Sequence, residues 1–209
     1  QGQLAAYENL CNNPPPYLAI DTETVSLADK TILGVGIASP TGDNFYFGIT
    51  NPTIPWFLLQ SNTIRKVVHN CTFDLSREVL GKVAADIDNI DDTAIMARLA
   101  NIDAELQYAC FYTRTKTESA RELLARFQAK DMNSVPWAEI AMKCLPDARV
   151  TLELYEYLRG RIDLAYYEVE RKIASMLLHM SYRGIALDQE LVRAIDAELD
   201  YNVYLYMST

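Results

Sequence analysis

The sequence is poor in the residues from which most zinc sites and many nucleophilic sites are built. Its four cysteines are Cys11, Cys71, Cys110 and Cys144. They form no Cys-x-x-Cys pair, which argues against zinc and indicates reduced thiols in a cytosol-like compartment. The two histidines, His69 and His179, are too few and too far apart for a histidine-based metal site. We expect His69, at the end of a predicted strand, to be packed or hydrogen-bonded.

Long apolar runs and an excess of basic residues are also missing. No stretch approaches the roughly 18 to 20 apolar residues that a membrane-spanning helix requires, and we expect no membrane partner. The chain has 19 basic and 28 acidic residues, a net charge of −9. Proteins that follow a nucleic-acid backbone usually carry a basic stripe. The composition therefore argues against a general nucleic-acid binder.

What the chain has is enough apolar sequence for one core with an extension: 209 residues, half of them hydrophobic. A short leading helix is predicted over 4–10, before a proline-rich stop. Strands are then predicted at 17–21, 31–39, 44–49 and 66–69, with a short helix near 55–61 and helices from 73 onward. The hairpin turn at Thr41–Asn44 makes the first three strands an antiparallel meander. This order predicts an α/β fold, a mixed sheet flanked by helices.

Two acids one residue apart, Asp21 and Glu23, follow the apolar run Tyr17–Ile20. Side chains in a strand repeat with a period of two, so both carboxylates should point to the same side of the sheet. Like charges held that close are costly unless a cation lies between them, and Mg²⁺ prefers carboxylate oxygens. The alternative is a strand end with two solvated acids.

Two further acids stand where such a site would need them. Asp74 follows the predicted strand that ends at His69, in the first turn of a helix that runs to about Gly81, with Phe73 expected to pack inward. Asp147 lies in the predicted helix over 137–158, next to its apolar face. Each has an ordinary alternative, because acids are favoured near helix starts by the helix dipole.

Taken in order, these acids and their neighbours resemble the motifs of the DEDD superfamily of 3′–5′ exonucleases. Within that superfamily they are most similar to the proofreading domain of family A (polymerase-I-like) DNA polymerases. The segments that carry the resemblance are Asp21–Leu27, Asn70–Asp74 and Asp147–Leu154. The start of the stretch Asp92–Leu99 resembles a helix start of the family in which the acid is a cap. The resemblance covers most of residues 4–200 and implies a ribonuclease-H-like fold.

The resemblance implies hydrolysis of the 3′-terminal phosphodiester with two divalent ions, Mg²⁺ or Mn²⁺. The implied metal ligands are Asp21, Glu23, Asp74 and Asp147. Asp21 would bridge both ions, Glu23 and Asp147 would complete the first, and Asp74 would serve the second. The implied substrate-binding residues are Thr24, Leu27 and Asn70, although Leu27 is equally well explained as a core residue. The partner would be a single-stranded or frayed 3′ end of DNA. The implied location is cytoplasmic, in a bacterial or phage-infected cell, with an organelle as the open alternative.

One position departs from the family pattern. Polymerase-type members carry tyrosine four residues before the last acid, and another branch carries histidine five residues before it. Here those places hold Lys143 and Met142. Residues i and i+4 share a helix face, so Lys143 can pair with Asp147, unless Pro146 interrupts the helix. An ammonium at this position would compete with a metal ion, orient the attacking water as a catalytic residue, or point to solvent.

The sequence predicts an exonuclease domain over 1–160 and a helical extension over 161–209. A long amphipathic helix should end at Gly184, and a second should begin after Asp188. Met180–Asp188 is similar to the start of the polymerase part of family A enzymes. We therefore expect a fragment of a longer chain, with the polymerase domain of that chain as a partner. Two alternatives stay open: an inactive exonuclease fold that supports the polymerase, and a ribonuclease-D-like RNA exonuclease.

Overall fold

The structure, a computed structural model, describes residues 2–49, 54–81, 87 and 89–208. The strands are β1 (Tyr17–Thr24), β2 (Ile32–Ala38), β3 (Asn44–Gly48), β4 (Arg65–Val68) and β5 (Ile90–Asp92). The helices are α1 (Gly2–Asn12), α2 (Trp56–Leu59), α3 (Cys71–Asp74), α4 (Arg77–Leu80), α5 (Thr93–Leu99), α6 (Ala120–Phe127), α7 (Trp137–Leu158), α8 (Leu164–Arg183) and α9 (Gln189–Ser208). Short 3₁₀ helices cover Leu106–Phe111 and Met132–Ser134.

The strands form one mixed sheet in the order β3-β2-β1-β4-β5 within the described ranges. The pairs β1–β2 and β2–β3 are antiparallel, whereas β1–β4 and β4–β5 are parallel. The predicted meander and the predicted mixed sheet flanked by helices are therefore confirmed. Because β1 lies in the centre of the sheet, residues on β1 can be reached from helices on either side.

The strand β1 is longer than the sequence pattern predicts. It continues past Asp21 to Thr24, because β2 pairs with it along its whole second half, with Asp21 opposite Gly36 and Glu23 opposite Gly34. Both acids therefore lie within a paired strand rather than just after one. The backbone that carries them is held by sheet hydrogen bonds, which fixes the direction of both side chains.

The helix α7 crosses the sheet and packs against β1 and β2. It is continuous through Pro146, so the predicted helix over 137–158 is confirmed and the alternative of an interruption at Pro146 is excluded. Its approach to the sheet is close at Gly36, where an added Cβ would lie 2.8 Å from Cys144 Sγ and 3.1 Å from the Cys144 carbonyl oxygen. A glycine at this position lets the helix backbone come near the centre of the sheet.

The segment after β4 differs from the expected single helix. It splits into α3 and α4, because the Ser76 hydroxyl accepts a hydrogen bond from the Val79 amide and begins a new helix there. Asp74 is accordingly the last residue of a four-residue helix. The prediction that Phe73 packs inward is wrong: the ring is half-buried and lines a cleft.

The two C-terminal helices follow the prediction. Gly184 ends α8 with a positive φ of 67°, and the Asp188 carboxylate accepts hydrogen bonds from the first amides of α9. Tyr167, Ala174 and Leu178 bury one face of α8 against the core, whereas α9 is exposed along its described length. None of the described helices combines the length and the apolar character needed to cross a membrane.

Candidate active site

Four carboxylates from three parts of the fold meet beside the centre of the sheet. Asp21 and Glu23 come from β1, Asp74 from the end of α3, and Asp147 from the buried face of α7. Glu23, Asp74 and Asp147 are each 5% exposed, and Asp21 keeps more exposure towards the cleft. The structure thus brings together the four acids that the motifs single out.

The Asp21 carboxylate lies at the centre of this group. Burial raises its pKa well above the ordinary value, and the nearby charges of Asp147, Glu23 and Asp74 raise it further. The Cys144 thiol donates a hydrogen bond to Asp21, with Sγ 3.2 Å from Oδ2. Cys144 was not singled out from the sequence, although its place three residues before Asp147 puts both on one helix face. Ligand atoms of Asp21, Glu23 and Cys144 lie within 4.8 Å of one another.

Lys143 is the cation of the cluster. Its Nζ donates to Glu23 Oε1 at 2.6 Å and to Asp147 Oδ2 at 2.8 Å, and its side chain is only 9% exposed. Burial alone would lower the pKa of Lys143, but the charges of Glu23, Asp147 and Asp21 raise it well above its usual value. The pairing with Asp147 expected from the i, i+4 spacing is present, and Glu23 is a second partner that spacing does not reveal.

Only one of the two carboxylate oxygens of Asp147 has a hydrogen-bond partner among the described residues. Lys143 bonds to its Oδ2, whereas its buried Oδ1 has no hydrogen-bond partner among the described residues. Burial raises the pKa of Asp147, and the Lys143 charge partly offsets that rise. A buried acceptor without a partner costs about 1–3 kcal/mol, so this oxygen is suited to a donor or a cation that binds in addition to Lys143.

Asp74 is held by uncharged donors. The Thr22 amide and hydroxyl both donate to Asp74 Oδ1, at 3.0 and 2.6 Å. Burial raises the pKa of Asp74 to about 7, although the bonds from Thr22 act in the opposite direction. Thr22 therefore ties the end of α3 to β1, a role that its place between two acids does not suggest.

Replacing Asp74 by asparagine is expected to raise the melting temperature of the metal-free chain at pH 8, by an amount that shrinks as the pH falls towards 4. The carboxyl has a pKa of about 7 in the folded chain and of about 3.9 when unfolded. Protonated Asp74 therefore stabilises the folded chain fully below about pH 4, and this stabilisation is lost as the pH rises to about 7 and above. Asparagine stays neutral and still offers Thr22 an oxygen. Thermal unfolding in EDTA at pH 4, 6 and 8 measures the effect, with Asp196→Asn on exposed α9 as the control. An equal gain at all three values would contradict the expectation.

The donor set fits a divalent cation. Carboxylate oxygens are the ligands that Mg²⁺ and Mn²⁺ take, one buried oxygen of Asp147 lacks a partner, and Asp21 is repelled by three neighbouring acids. Asp21 and Asp74 receive bonds only from a thiol, a hydroxyl and an amide among the described contacts. The part of the cluster around these two residues thus lacks a direct positive partner.

A cleft of about 630 Å³ opens beside the acids. Leu27 is 82% exposed at its edge, so it is not a core residue. Thr24 is buried at the cleft wall, and its hydroxyl donates to the Ser26 carbonyl.

Two further cleft residues, Asn70 and His69, are held by neighbouring elements. Asn70 has a left-handed φ of 72°, and its backbone N–H donates to the Asp92 carboxylate, which also caps α5 as predicted. His69 is hydrogen-bonded to Thr93 and the Ala104 carbonyl, as expected.

Another part of the cleft wall comes from the 3₁₀ helix at Leu106–Phe111, from α6 and from the residues that follow α6. It contributes the apolar side chains of Leu106, Leu124 and Met132, and two exposed cations, Arg121 and Lys130. None of these five residues was singled out from the sequence, because nothing in the linear pattern indicates that α6 faces β1. The cleft therefore combines an apolar wall, two cations and the carboxylate cluster.

Comparison with known proteins assigns the chain to a family. A model of the 3′–5′ exonuclease family matches residues 2–163, most of the chain. DNA polymerase DpoZ of Vibrio phage phiVC8 is 24% identical over 215 residues, and DNA polymerase I of Chloroflexus aurantiacus is 26% identical over 206. Each alignment covers 86% of this chain, which spans only 34% and 21% of those two polymerases.

Solved structures support the same fold. Brucella melitensis NrnC superposes with a TM-score of 0.63 at 20% identity, covering 83% of this chain and 87% of that one. Trypanosoma brucei RNase D gives a TM-score of 0.61 at 17% identity, covering 83% and 68%. These likenesses establish a ribonuclease-H-like exonuclease fold. The family match over residues 2–163, with which the two polymerase relatives agree, shows that this chain belongs to the 3′–5′ exonuclease family of polymerase-I-like DNA polymerases.

Proposed function

We propose that the chain is a metal-dependent 3′–5′ exonuclease that serves as the proofreading domain of a family A DNA polymerase. One observation carries the proposal: four carboxylates from β1, α3 and α7 converge beside a cleft large enough for a terminal nucleotide. The reaction is hydrolysis of the 3′-terminal phosphodiester, and the product is a nucleoside monophosphate. The membership of the family and the two polymerase relatives support this function.

The residues of the cluster have different proposed roles. Asp21, Glu23, Asp74 and Asp147 would hold divalent ions, which activate water and stabilise charge on the leaving oxygen when bound. Thr22 keeps Asp74 in place, and the Cys144 thiol orients the Asp21 carboxylate. Lys143 reaches the cleft and can donate to a phosphate oxygen.

The cleft walls suit a single-stranded 3′ end. Leu27, Phe73 and Leu124 offer apolar surface against which a base can pack, and Arg121 and Lys130 offer charge to phosphates. Both cations are exposed. In a chain with a net charge of −9, this small basic wall favours a short terminal segment over a long duplex. Thr24 and Asn70 would contact the same nucleotide.

We also propose that residues 1–160 form the exonuclease domain and that 161–209 begin a polymerase domain. The family match ends at residue 163, next to the start of α8 at Leu164. The polymerase domain of the same parent chain would then be the partner that delivers the DNA end. The two curated relatives, both DNA polymerases and both much longer than this chain, support that arrangement.

Two alternatives each rest on an observation. RNase D and NrnC are among the structural neighbours, and one solved complex pairs T. brucei RNase D with RNA U12, so a single-stranded RNA substrate is the second candidate. The third is an inactive fold that supports a polymerase. That alternative draws on Lys143, whose ammonium occupies a position between two of the proposed metal ligands.

Degradation of 5′-labelled single-stranded DNA and of RNA with the same sequence tests the proposal. We expect metal-dependent shortening of the DNA from its 3′ end, one nucleotide at a time, and no reaction in excess EDTA. An oligonucleotide with an inverted 3′-terminal nucleotide is the control, because it offers no free 3′ end. Undiminished degradation in EDTA would contradict the metal dependence, faster loss of RNA would favour the ribonuclease alternative, and no reaction with either substrate would favour the inactive fold.

A further inference from the structure

The position of Lys143 carries an inference about how many ions the site holds. Its Nζ lies between carboxylates that come from different elements, Glu23 on β1 and Asp147 on α7, at 2.6 and 2.8 Å. Both distances are those of charge-assisted hydrogen bonds. All three side chains are less than a tenth exposed. The ammonium is therefore a built part of the cluster and not a surface charge that happens to reach it.

The backbone of α7 places Lys143 beside the cluster. Lys143 and Asp147 are one turn apart on a helix that stays continuous through Pro146. The Cys144 side chain, next to Lys143 in the chain, is wedged between Asp21 and the backbone of Gly36. A rotation of α7 as a whole would therefore also disturb the contacts of the Cys144 side chain with Asp21 and Gly36. With α7 docked in this position, the Lys143 nitrogen can bond to Glu23 and Asp147 at the same time.

The charge within the cluster is unevenly distributed. If all four carboxylates are ionised, as metal binding requires, they and the one ammonium carry a formal charge of −3. The ammonium bonds to Glu23 and Asp147, whereas the hydrogen bonds to Asp21 and Asp74 among the described residues come from Cys144 and Thr22, which are uncharged. A cation therefore gains most on the side of Asp21 and Asp74, where none of the described residues brings a positive group into hydrogen-bonding contact.

We infer that Lys143 takes the place of one divalent ion, so that this chain binds a single divalent ion, on the side of Asp21 and Asp74. The inference rests on the proposed metal-dependent function. It differs from the two-ion arrangement that the family resemblance implies, in which Glu23 and Asp147 complete a first ion together with Asp21. Here one oxygen of Glu23 and one oxygen of Asp147 are already bonded to the Lys143 nitrogen, so an ion held by both acids would meet that positive charge.

Titration of the wild-type chain with Mn²⁺, followed by electron paramagnetic resonance of the free ion, measures the number of sites. We expect one bound Mn²⁺ per chain and no spectrum of a coupled Mn²⁺ pair. Lys143→Met removes the charge with little change in length and should bind two, because it frees Glu23 Oε1 and Asp147 Oδ2, the two oxygens that bond to the ammonium. Lys172→Met, which makes the same change in net charge on the exposed face of α8, should still bind one.

A pair of neutral isosteres locates the ion. Asp74→Asn should lose the single Mn²⁺ of the wild type, or weaken it at least about tenfold, whereas Glu23→Gln should keep it. Two Mn²⁺ in the wild type would overturn the inference and leave the proposed function standing. None in the wild type would overturn both. A folded Lys143→Met chain that binds one ion would also overturn it. If the Lys143→Met variant does not fold, as judged by circular dichroism, the inference is still tested by the number of Mn²⁺ ions bound to the wild type and by the Asp74→Asn and Glu23→Gln variants.

Discussion

Replacing Asp21 by alanine is expected to lower the rate of 3′-terminal cleavage by about a thousandfold or more. Asp21 lies at the centre of the cluster, where the charges of Asp147, Glu23 and Asp74 all reach it. An ion held there supplies several kcal/mol of charge stabilisation in the transition state. Each 1.36 kcal/mol that is lost lowers the rate tenfold, so a site without its central ligand should retain almost no activity.

Single-turnover degradation of a 5′-labelled oligonucleotide measures this effect. Glu198→Ala, which removes one carboxylate from exposed α9, should be as fast as the wild type. The Asp21→Ala chain should also be at least as heat-stable as the wild type at pH 8 in EDTA, because it loses a carboxylate that its neighbours repel. Activity within tenfold of the wild type would mean that Asp21 is not a central ligand.

Replacing Lys143 by tyrosine is expected to raise the cleavage rate by about a hundredfold. The family resemblance implies a tyrosine at this position whose phenol orients the attacking water, and one positioned hydrogen-bonding group in a catalytic site commonly contributes about a hundredfold. Residue 143 lies beside both Glu23 and Asp147 and lines the cleft. The substitution also removes the ammonium that competes with an ion for those two acids.

Lys143→Phe separates the two effects, because it removes the ammonium without adding a hydroxyl. Rates for the wild type, the tyrosine variant and the phenylalanine variant are compared at saturating Mn²⁺. We expect tyrosine to exceed phenylalanine by most of the gain. Equal rates for the two variants would assign the gain to the removal of charge alone. A tyrosine variant slower than the wild type would show that Lys143 itself performs the water-orienting role.

Local patterns in the sequence were sufficient to predict the frame of the site. The period of two in a strand places Asp21 and Glu23 on one side, and the i, i+4 spacing on a helix brings Lys143 to Asp147. The capping role of Asp92 follows from its place before a helix. Each of these inferences depends on residues that are close together in the chain, where backbone geometry alone determines direction.

The contacts that could not be predicted join distant elements. Lys143 meets Glu23 across 120 positions of sequence, and Cys144 meets Asp21 across 123. Both depend on how closely α7 approaches the sheet, which no local pattern encodes. The prediction that Phe73 packs inward is wrong for a local reason. Ser76 caps a new helix, so the helix that carries Phe73 and Asp74 is shorter than expected. Membership of the family narrows the chemistry but does not supply these contacts.

Because α7 approaches the sheet closely at Gly36, the geometry of the carboxylate cluster depends on the distance between this helix and the sheet. Any side chain at Gly36 would meet both the sulfur and the backbone of Cys144, and the backbone cannot yield as a flexible side chain can. The helix would be lifted, and Asp147 would move away from Asp21 with no acid altered. Displacements near 1 Å can cost about a hundredfold in rate. Replacement of Gly36 on β2 during evolution could therefore abolish catalysis by this domain, although every acid of the motifs would still be present in the sequence.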